Sequence, residues 1–474
     1  MPAESEVSDM SPNSHDKRFR VALPLLTAAV LLAAGCSSGS NSGNSTSTPN
    51  AETGPAFVVG TDAPMSSVTS FAVQVESVDA IDASGNSVPL LSGTPTVDFA
   101  RFNGLQTMLD LNDVPAGTYN SVSITLGSAT IGYLQTQANG APTLQTEAAT
   151  LTESTITANL ASPLVVVHAG APVGLRVDFD LHKSIQVDSS GNITGNVTPT
   201  FNVSSVARSD AGAYIDEFIA AVISVGTQSF VVQGPHGEQF TINVNGSTNW
   251  ENNESISSLS TSSIVQVSGE LDQADQTLDA DDVAILSQNS FYAAGQVTYV
   301  TPATGTATSF DLYVRGLLPT TTGLTLGQIA QVDLTGNEKF FIYWWHNPLT
   351  EFLFNSSQLV AGQNIAVGGP ASGATNANAV TVNRVVLRHW GFNGTVNSIN
   401  SAQNTFQMQI NGFAGVLIPE TVTVYVVGGT QFRDGLSGFG DISTSANVRV
   451  VGLLLKNPTS GQVVLLAHYV DSMD

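Results

Sequence analysis

The sequence predicts an all-β protein, with an N-terminal β-sandwich followed by three small five-stranded β-barrel repeats. Three observations predict this class. The chain is rich in Gly, Ser, Thr and Val while only 11% of its residues are charged, which favours strands and turns over helices. Short segments alternate apolar and polar residues with a period of two. Similar strand motifs recur three times in the C-terminal half, which indicates a repeated module.

The N-terminal 36 residues have the features of a secretory signal. Lys17, Arg18 and Arg20 precede an apolar stretch over residues 21–34, and small residues follow it. About 14 apolar residues suit a signal but are too few to span a bilayer. The segment before Lys17 is polar and partly acidic, so translation from Met10 is an alternative to translation from Met1.

The lone cysteine of the chain, Cys36, ends the run that begins at Leu31. This junction resembles the lipobox of bacterial lipoproteins, although Ala33 stands where that family prefers Leu. The resemblance implies a diacylglycerol-modified Cys36, cleavage before it, and a fatty acyl (palmitate-type) cap on the new N-terminus. It therefore implies a membrane-anchored protein of the cell envelope, and Ser37 favours the outer membrane in a Gram-negative host. An ordinary secreted protein is the alternative.

The charge of the chain limits its partners. Its 38 acidic and 14 basic residues give a net charge of −24, which opposes nucleic-acid binding, because that needs a basic face to displace counterions from phosphates. With Cys36 assigned to lipid, the folded part contains no thiol for a disulfide or a thiolate metal site. Residues 37–55, rich in Ser, Asn, Thr and Gly, are predicted to be a flexible tether.

Residues 56–208 are predicted to form the sandwich. Alternating strands such as 71–78 and 121–126 are separated by turn signals. Three motifs, Thr61 to Pro64, Val114 to Tyr119 and Val177 to Ile185, precede Pro199 in the order found in a bacterial envelope family. The segment thus resembles domain of unknown function 4382, a resemblance that implies architecture and placement but no activity.

The remaining chain is predicted to contain three barrel repeats, at residues 212–287, 290–390 and 391–474. They share a Gly-x-Val strand, a Phe-x-apolar strand, a Val-x-Val-x-Gly strand and a final Ala/Val strand, with departures in individual repeats. The repeats resemble domain of unknown function 5666, and the third fits best. Five short strands suit a small closed barrel of the oligonucleotide/oligosaccharide-binding (OB) type, which leaves no free sheet edge.

An insertion in the second repeat holds the densest aromatic cluster of the sequence. Tyr343, Trp344 and Trp345 lie in it, and aromatic rows on a small barrel can stack against sugars. Apolar side chains alternate onto both faces of this segment, which favours packing or a domain contact as the alternative. These three residues are the candidate ligand-binding residues for an envelope glycan or protein partner.

Metal and cofactor signals are weak. Asp272 and Asp275 belong to an acidic run, yet the run lacks the Gly and Glu of an EF-hand loop, which makes them weak calcium candidates. No two histidines have metal-ligand spacing, and the matching positions of His389 and His468 favour a structural role. The sequence predicts neither a resident cofactor nor catalytic residues.

These observations predict a lipid-anchored cell-envelope protein with a non-catalytic binding, scaffold or surface-structural role. Two alternatives remain at this point. One is a glycan-binding adhesin that uses the aromatic insertion. The other is an envelope hydrolase acting on glycan or peptide, whose paired carboxylates can be far apart in sequence.

Overall fold

The computed structural model describes residues 53–473 with short gaps. The residues outside the description in this range are 64, 66–67, 103–106, 138–139, 168–172, 191, 208–213, 234–238, 252–253, 262, 273–276, 288–289, 319–322, 343–352, 371–378, 411–419, 434 and 458–459. The described residues are overwhelmingly strand, which confirms the all-β class.

Residues 53–207 form two sheets that enclose one core, and we call this module the sandwich. Its strands are β1 (Thr53–Ala63), β2 (Val68–Asp82), β3 (Ser87–Pro89), β4 (Thr96–Asp98), β5 (Thr107–Pro115), β6 (Gly117–Gln137), β7 (Gly140–Leu151), β8 (Thr155–Val166), β9 (Val173–Asp180), β10 (Ile185–Val187), β11 (Ile193–Val197) and β12 (Phe201–Ala207). One sheet has the order β12-β9-β1-β5, and the other runs β10-β11-β7-β6-β2-β3, with β4 on β2 and β8 on β6.

The core of the sandwich follows from the alternation of its strands. Every second residue of β2 is buried, and Phe71 from that strand stacks on Phe179 from β9 at 5.0 Å between ring centroids. Phe99 and Phe201 complete the aromatic cluster between the sheets. At the end of β9 the chain turns through a single helical turn, Leu181–Ser184, capped by the Asp180 side chain on the Lys183 amide. His182 lies in this turn.

The first repeat is a closed barrel, barrel 1. Its strands are β13 (Tyr214–Val225), β14 (Ser229–Gln233), β15 (Gln239–Asn243), β16 (Asn249–Trp250), β17 (Ile264–Asp272) and β18 (Thr277–Ser287). Neighbours pair in the order β15-β14-β13-β17-β18, and β15 pairs again with β18 in parallel, which closes the ring. The short β16 extends the same parallel seam along β18.

The third repeat closes in the same way and forms barrel 3. Its strands are β26 (Trp390–Asn400), β27 (Thr405–Ile410), β28 (Glu420–Arg433), β29 (Asn447–Lys456) and β30 (Val463–Ser472). The order is β26-β27-β28-β30-β29, with β29 returning to β26 and a parallel pairing between β28 and β30. Barrels 1 and 3 are the two continuously closed barrels among the described residues.

The second repeat, barrel 2, departs from the expected continuous closure. Its strands are β19 (Ser290–Thr301), β20 (Ser309–Leu318), β21 (Ile329–Asp333), β22 (Lys339–Ile342), β23 (Asn364–Pro370), β24 (Ala379–Thr381) and β25 (Arg384–Arg388). The last strand is broken after Thr381, so β24 pairs with β21 and β25 pairs with β22, both in parallel. The ladder is therefore an open path from β22 to β24. The two halves of the interrupted strand, β24 and β25, belong to opposite ends of this path.

The glycines that define the repeat motif are positions where two backbones approach closely. A Cβ on Gly269 would collide with the Asp279 carbonyl, and one on Gly452 with the Leu466 carbonyl. Gly295 meets the Tyr313 carbonyl in the same way. The strand register shifts at each of these three glycines. A bulge bends and twists a strand, as a five-stranded barrel requires, and only glycine fits where the partner backbone comes that close.

The four modules share apolar contacts. Phe57 and Val206 of the sandwich join the core of barrel 1, and Leu453 and Leu466 of barrel 3 join the core of barrel 2. A separate apolar cluster joins barrels 1 and 2, with members Ile264, Ala284, Leu286, Ala294, Leu318, Ala366 and Val386. Residues 51–474 accordingly form one compact unit. In the described part of the chain, no helix has the length and apolar character needed to cross a bilayer.

Candidate functional site

The side chains that the sequence predicts to carry lipid, a ligand or calcium lie outside what the structure describes. Cys36, Tyr343, Trp344, Trp345 and Asp275 all lie outside the described residues. Asp272 ends β17, but its side chain is likewise not described. The lipidation, glycan and calcium predictions attached to these residues therefore stay predictions.

Several buried charged side chains lie where modules meet. We call the first group the Arg449 clasp, made of Arg449 and Asp471 from barrel 3 and Asp178 from the sandwich. Arg449 Nε donates to Asp471 Oδ2 at 2.8 Å, and its Nη1 lies 3.7 Å from Asp178 Oδ2. The same Nη1 donates to the carbonyl of Asp62 at 3.3 Å. One guanidinium thus joins the first module of the chain to the last.

The electrostatics of the Arg449 clasp are those of a buried ion pair. Burial raises the pKa of Asp178, and the positive charge of Arg449 opposes that rise. Burial by itself lowers the pKa of Arg449, but Asp178 and Asp471 outweigh it and raise that pKa above its ordinary value. Removing one partner would leave an uncompensated charge out of water, so the clasp depends on the presence of all its members.

A second buried arginine, Arg315 on β20, lies where three modules meet, and we call this place the Arg315 junction. Its Nη atoms donate to the carbonyls of Ala100 and Val68, both in the sandwich, the latter at 3.1 Å. The guanidinium carbon lies 4.5 Å from the ring centroid of Trp390, the first residue of barrel 3. Buried Asp98 supplies negative charge nearby, and burial raises the pKa of its carboxyl despite Arg315. The planar guanidinium serves here as both donor and stacking surface.

Two histidines stack on each other at the boundary between barrels 2 and 3. The rings of His389 and His468 are 4.5 Å apart with an interplanar angle of 6°. Burial, followed by the positive charge of Arg433, lowers the pKa of His468 to about 4. Burial also lowers the pKa of His389, to well below its ordinary value. Neutral stacked imidazoles fit the structural role expected from their matching positions in the sequence.

A fourth group, which we call the Glu251 seam, lies between barrels 1 and 2. It brings Glu251, Glu254 and Asp282 from barrel 1 to Arg384 from barrel 2. Arg384 Nη1 is 3.6 Å from Glu254 Oε1, and its guanidinium lies 4.4 Å from the centroid of the Phe341 ring. Glu251 is only 8% exposed, and its Oε2 has no hydrogen-bond partner. Burial raises the pKa of Glu251 to about 8 and that of Asp282 to about 7.

The buried arginines of these groups were missed from the sequence because each lies on a strand with an ordinary alternating pattern. The sequence feature that could have revealed them is a basic side chain at an outward position of a repeat strand. Arg449 occupies the place in its Val-x-Val-x-Gly strand that Gln266 occupies in barrel 1. A charge facing outward from a barrel is usually solvated, and only the contact with the sandwich buries this one.

The described residues include no cluster of three or more His, Cys, Asp or Glu side chains that could hold a metal ion. In the Arg449 clasp and the Arg315 junction the guanidinium groups donate hydrogen bonds to carbonyl oxygens across a module boundary. Such an arrangement can hold modules in a fixed geometry.

Comparison with known families agrees with the two domain resemblances drawn from the sequence, while the resemblance to a lipobox stays a prediction. Residues 55–197 match the family described as "Domain of unknown function (DUF4382)", and residues 219–284 match "Domain of unknown function (DUF5666)". Both resemblances are thereby confirmed, and the second match falls on the first repeat, whereas the third had fitted the motif best. A search of curated proteins gave no match.

Two solved structures are similar over parts of the chain. The crystal structure of Ag(I)CusF is 14% identical and covers 18% of this chain and 97% of its own, with a TM-score of 0.14. The Drosophila Unr structure CSD456 is 9% identical and covers 54% of this chain and 97% of its own, with a TM-score of 0.13. At these TM-scores neither similarity carries an argument about function.

Proposed function

We propose that this protein is a lipid-anchored, non-catalytic scaffold of a bacterial cell envelope. The observation that carries the scaffold role is the joining of the modules by buried arginines. Arg449 joins the sandwich to barrel 3, and Arg315 joins the sandwich to barrels 2 and 3. A chain of independent binding domains has no need of such contacts, whereas a body that holds a fixed shape at a surface does.

The anchoring part of the proposal rests on the sequence. A signal with Cys36 at its end and a polar segment between Cys36 and the start of β1 at Thr53 would place the folded unit beside a membrane. Two or three acyl chains contribute about 0.8 kcal/mol for each buried methylene, so a multiply acylated N-terminus gives stable attachment. The net charge of −24 disfavours an electrostatic hold on anionic lipids, which leaves the acyl chains as the anchor.

The anchor is tested by expressing the full chain in a bacterial host and fractionating the envelope. The wild type should appear in the membrane fraction with an N-terminal peptide that starts at an acylated Cys36, identified by mass spectrometry. The Cys36→Ser variant should lose both the acyl mass and the membrane association. A wild-type chain that is processed elsewhere, or that is released without lipid, would contradict the anchor.

The scaffold role is tested by affinity capture from native envelope with quantitative mass spectrometry. Wild-type bait should retain a defined set of envelope proteins that Arg449→Ala bait, which lacks the clasp between the sandwich and barrel 3, retains less well. Retention of polysaccharide that is lost on Trp344→Ala and Trp345→Ala substitution would instead support the glycan-binding alternative. Turnover of glycan or peptide by the purified protein would support the hydrolase alternative.

A further inference from the structure

The contact between barrels 1 and 2 has an apolar part and a charged part. Ala284 and Leu286 on β18 pack against Ala366 and Val386 of barrel 2. Beside this apolar contact lies the Glu251 seam. Asn249 and Trp250 of β16 pair with Asp282 and Val283 of β18, so the following residue, Glu251, is directed along β18 toward barrel 2. The charged groups therefore border the surface that holds the two barrels together.

Charge is unbalanced within the Glu251 seam. Arg384 brings one positive charge to the carboxyl groups of Glu251 and Glu254, and Asp282 adds a third carboxyl group close to Glu251. Lys339 adds a weaker attraction to Glu254, and Asp281 adds repulsion on Asp282. If all three carboxyl groups were ionised, the seam would hold excess negative charge away from water, which is strongly unfavourable.

The hydrogen bonds of these carboxyl groups are incomplete. Asp282 accepts from Asn249 Nδ2 and Ser268 Oγ, both at 3.3 Å. Glu251 Oε2 and Glu254 Oε2 are buried and have no partner. A carboxylate that lacks donors and lies in a desolvated place favours its neutral form. At Glu251 the geometry and the charge count therefore agree that the intact seam favours the protonated acid. At Asp282, whose two oxygens each accept one long hydrogen bond, burial outweighs those bonds and raises the pKa.

We propose that the contact between barrels 1 and 2 is a pH-sensitive joint, closed when Glu251 and Asp282 are protonated and loosened when both ionise. The sign follows from linkage. The pKa values of both acids are raised in the closed joint, to about 8 and about 7, and would return to ordinary acid values on opening. The closed joint is therefore most stable at acid pH and loses stability as pH rises toward 8.

The joint is tested by hydrogen exchange on the full mature chain, read peptide by peptide by mass spectrometry. After correction for the intrinsic rate, opening measured on β18, β23 and β25 should increase at least about tenfold from pH 5 to pH 8 and then level off. Peptides of β6 in the sandwich should show no such increase. Equal pH responses in β6 and the seam strands, or a flat response in the seam strands, would overturn the proposal.

Two substitutions sharpen the test. Glu251→Gln keeps the shape of the side chain but cannot ionise, so exchange at the seam at pH 8 should be about tenfold slower than in wild type. Glu270→Gln is the matched control, because Glu270 is an exposed acid of the same barrel, and its profile should follow wild type. If Glu251→Gln folds poorly, hydrogen exchange of the Asp282→Asn variant provides the second measurement. A wild-type profile in both Glu251→Gln and Asp282→Asn would overturn the proposal.

Discussion

Individual arginines have an unusual part in this acidic chain. Of its 14 basic residues, Arg315, Arg384, Arg388 and Arg449 are largely buried on repeat strands. Arg388 donates to the Tyr292 hydroxyl at 2.9 Å, and burial followed by repulsion from Arg101 lowers its pKa to about 9. A guanidinium suits such places because several donors in one plane can serve several carbonyl and carboxylate acceptors at once.

At the residue scale, Arg449→Ala should destabilise the protein by about 3–5 kcal/mol, because Asp178 and Asp471 would then be buried charges without their cation. The measurement is denaturant unfolding followed by circular dichroism. Lys339→Ala, which removes an exposed cation, should change the unfolding free energy by about 0.5 kcal/mol or less. Equal effects of the two substitutions would show that the Arg449 clasp contributes no more than a surface charge.

The stacked histidines give a pH prediction of the opposite sign to the Glu251 seam. The folded-state pKa of His468 is lowered to about 4, so its contribution to stability is full above about pH 6.5 and is lost as pH falls toward 4. Its ring signals in histidine-detected NMR should therefore stay constant between pH 8 and pH 5.5. The His468→Gln variant assigns the signal, and a midpoint near 6.5 would contradict the buried neutral ring.

At the scale of strands, the repeat motif specifies where each barrel bends. Gly269, Gly295 and Gly452 lie at register shifts where the partner backbone leaves no room for a side chain. The Val-x-Val part of the motif alternates buried and outward side chains along the same strand. One strand thus supplies the core, the bend and, through Arg449, the contact with another module.

At this scale, Gly452→Ala should destabilise barrel 3 by about 1–3 kcal/mol, because its Cβ would push against the Leu466 carbonyl across the bulge. Thermal unfolding is the measurement. Gly440→Ala is the matched control in the same barrel, since a Cβ there meets nothing within 4 Å, and it should be close to neutral. A neutral Gly452→Ala would mean that the bulge can shift at little cost.

At the scale of the whole molecule, the modules meet in a closed circuit. The sandwich packs on barrel 1, barrel 1 on barrel 2, and barrel 2 on barrel 3. The Arg449 clasp then returns from barrel 3 to the sandwich, and the Arg315 junction crosses from barrel 2 to both. In a linear array each module depends on its sequence neighbours alone, whereas here the first and last modules stabilise each other.

The closed circuit predicts cooperative unfolding of the mature chain. Differential scanning calorimetry should show the sandwich and barrel 3 melting together in wild type. The double variant Arg315→Ala, Arg449→Ala should separate them into distinct transitions, because both buried links between them are removed. Separate transitions already present in the wild type would refute this coupling.

Much of the fold could be predicted from local patterns. Period-two alternation found strands such as β2, and the recurring glycines indicated a repeated module. The broken closure of barrel 2 could not be predicted, because the interruption after Thr381 depends on how β21 and β22 pair with the last strand. The Arg449 clasp could not be predicted either, because Asp178 and Arg449 are separated by most of the folded chain.

Short-range order is sufficient to predict the strand class, the repeats and a lipid site at Cys36, because side-chain alternation, turn residues and an N-terminal signal are all local features. Which charges leave water depends instead on tertiary contacts. In the sequence, Arg315, Arg384 and Arg449 stand at outward positions that are typical of solvated strand residues. In the structure, another module covers each of them. Burial and pairing then make them the links that hold four β-modules as one body, and that environment depends on contacts distant in the chain.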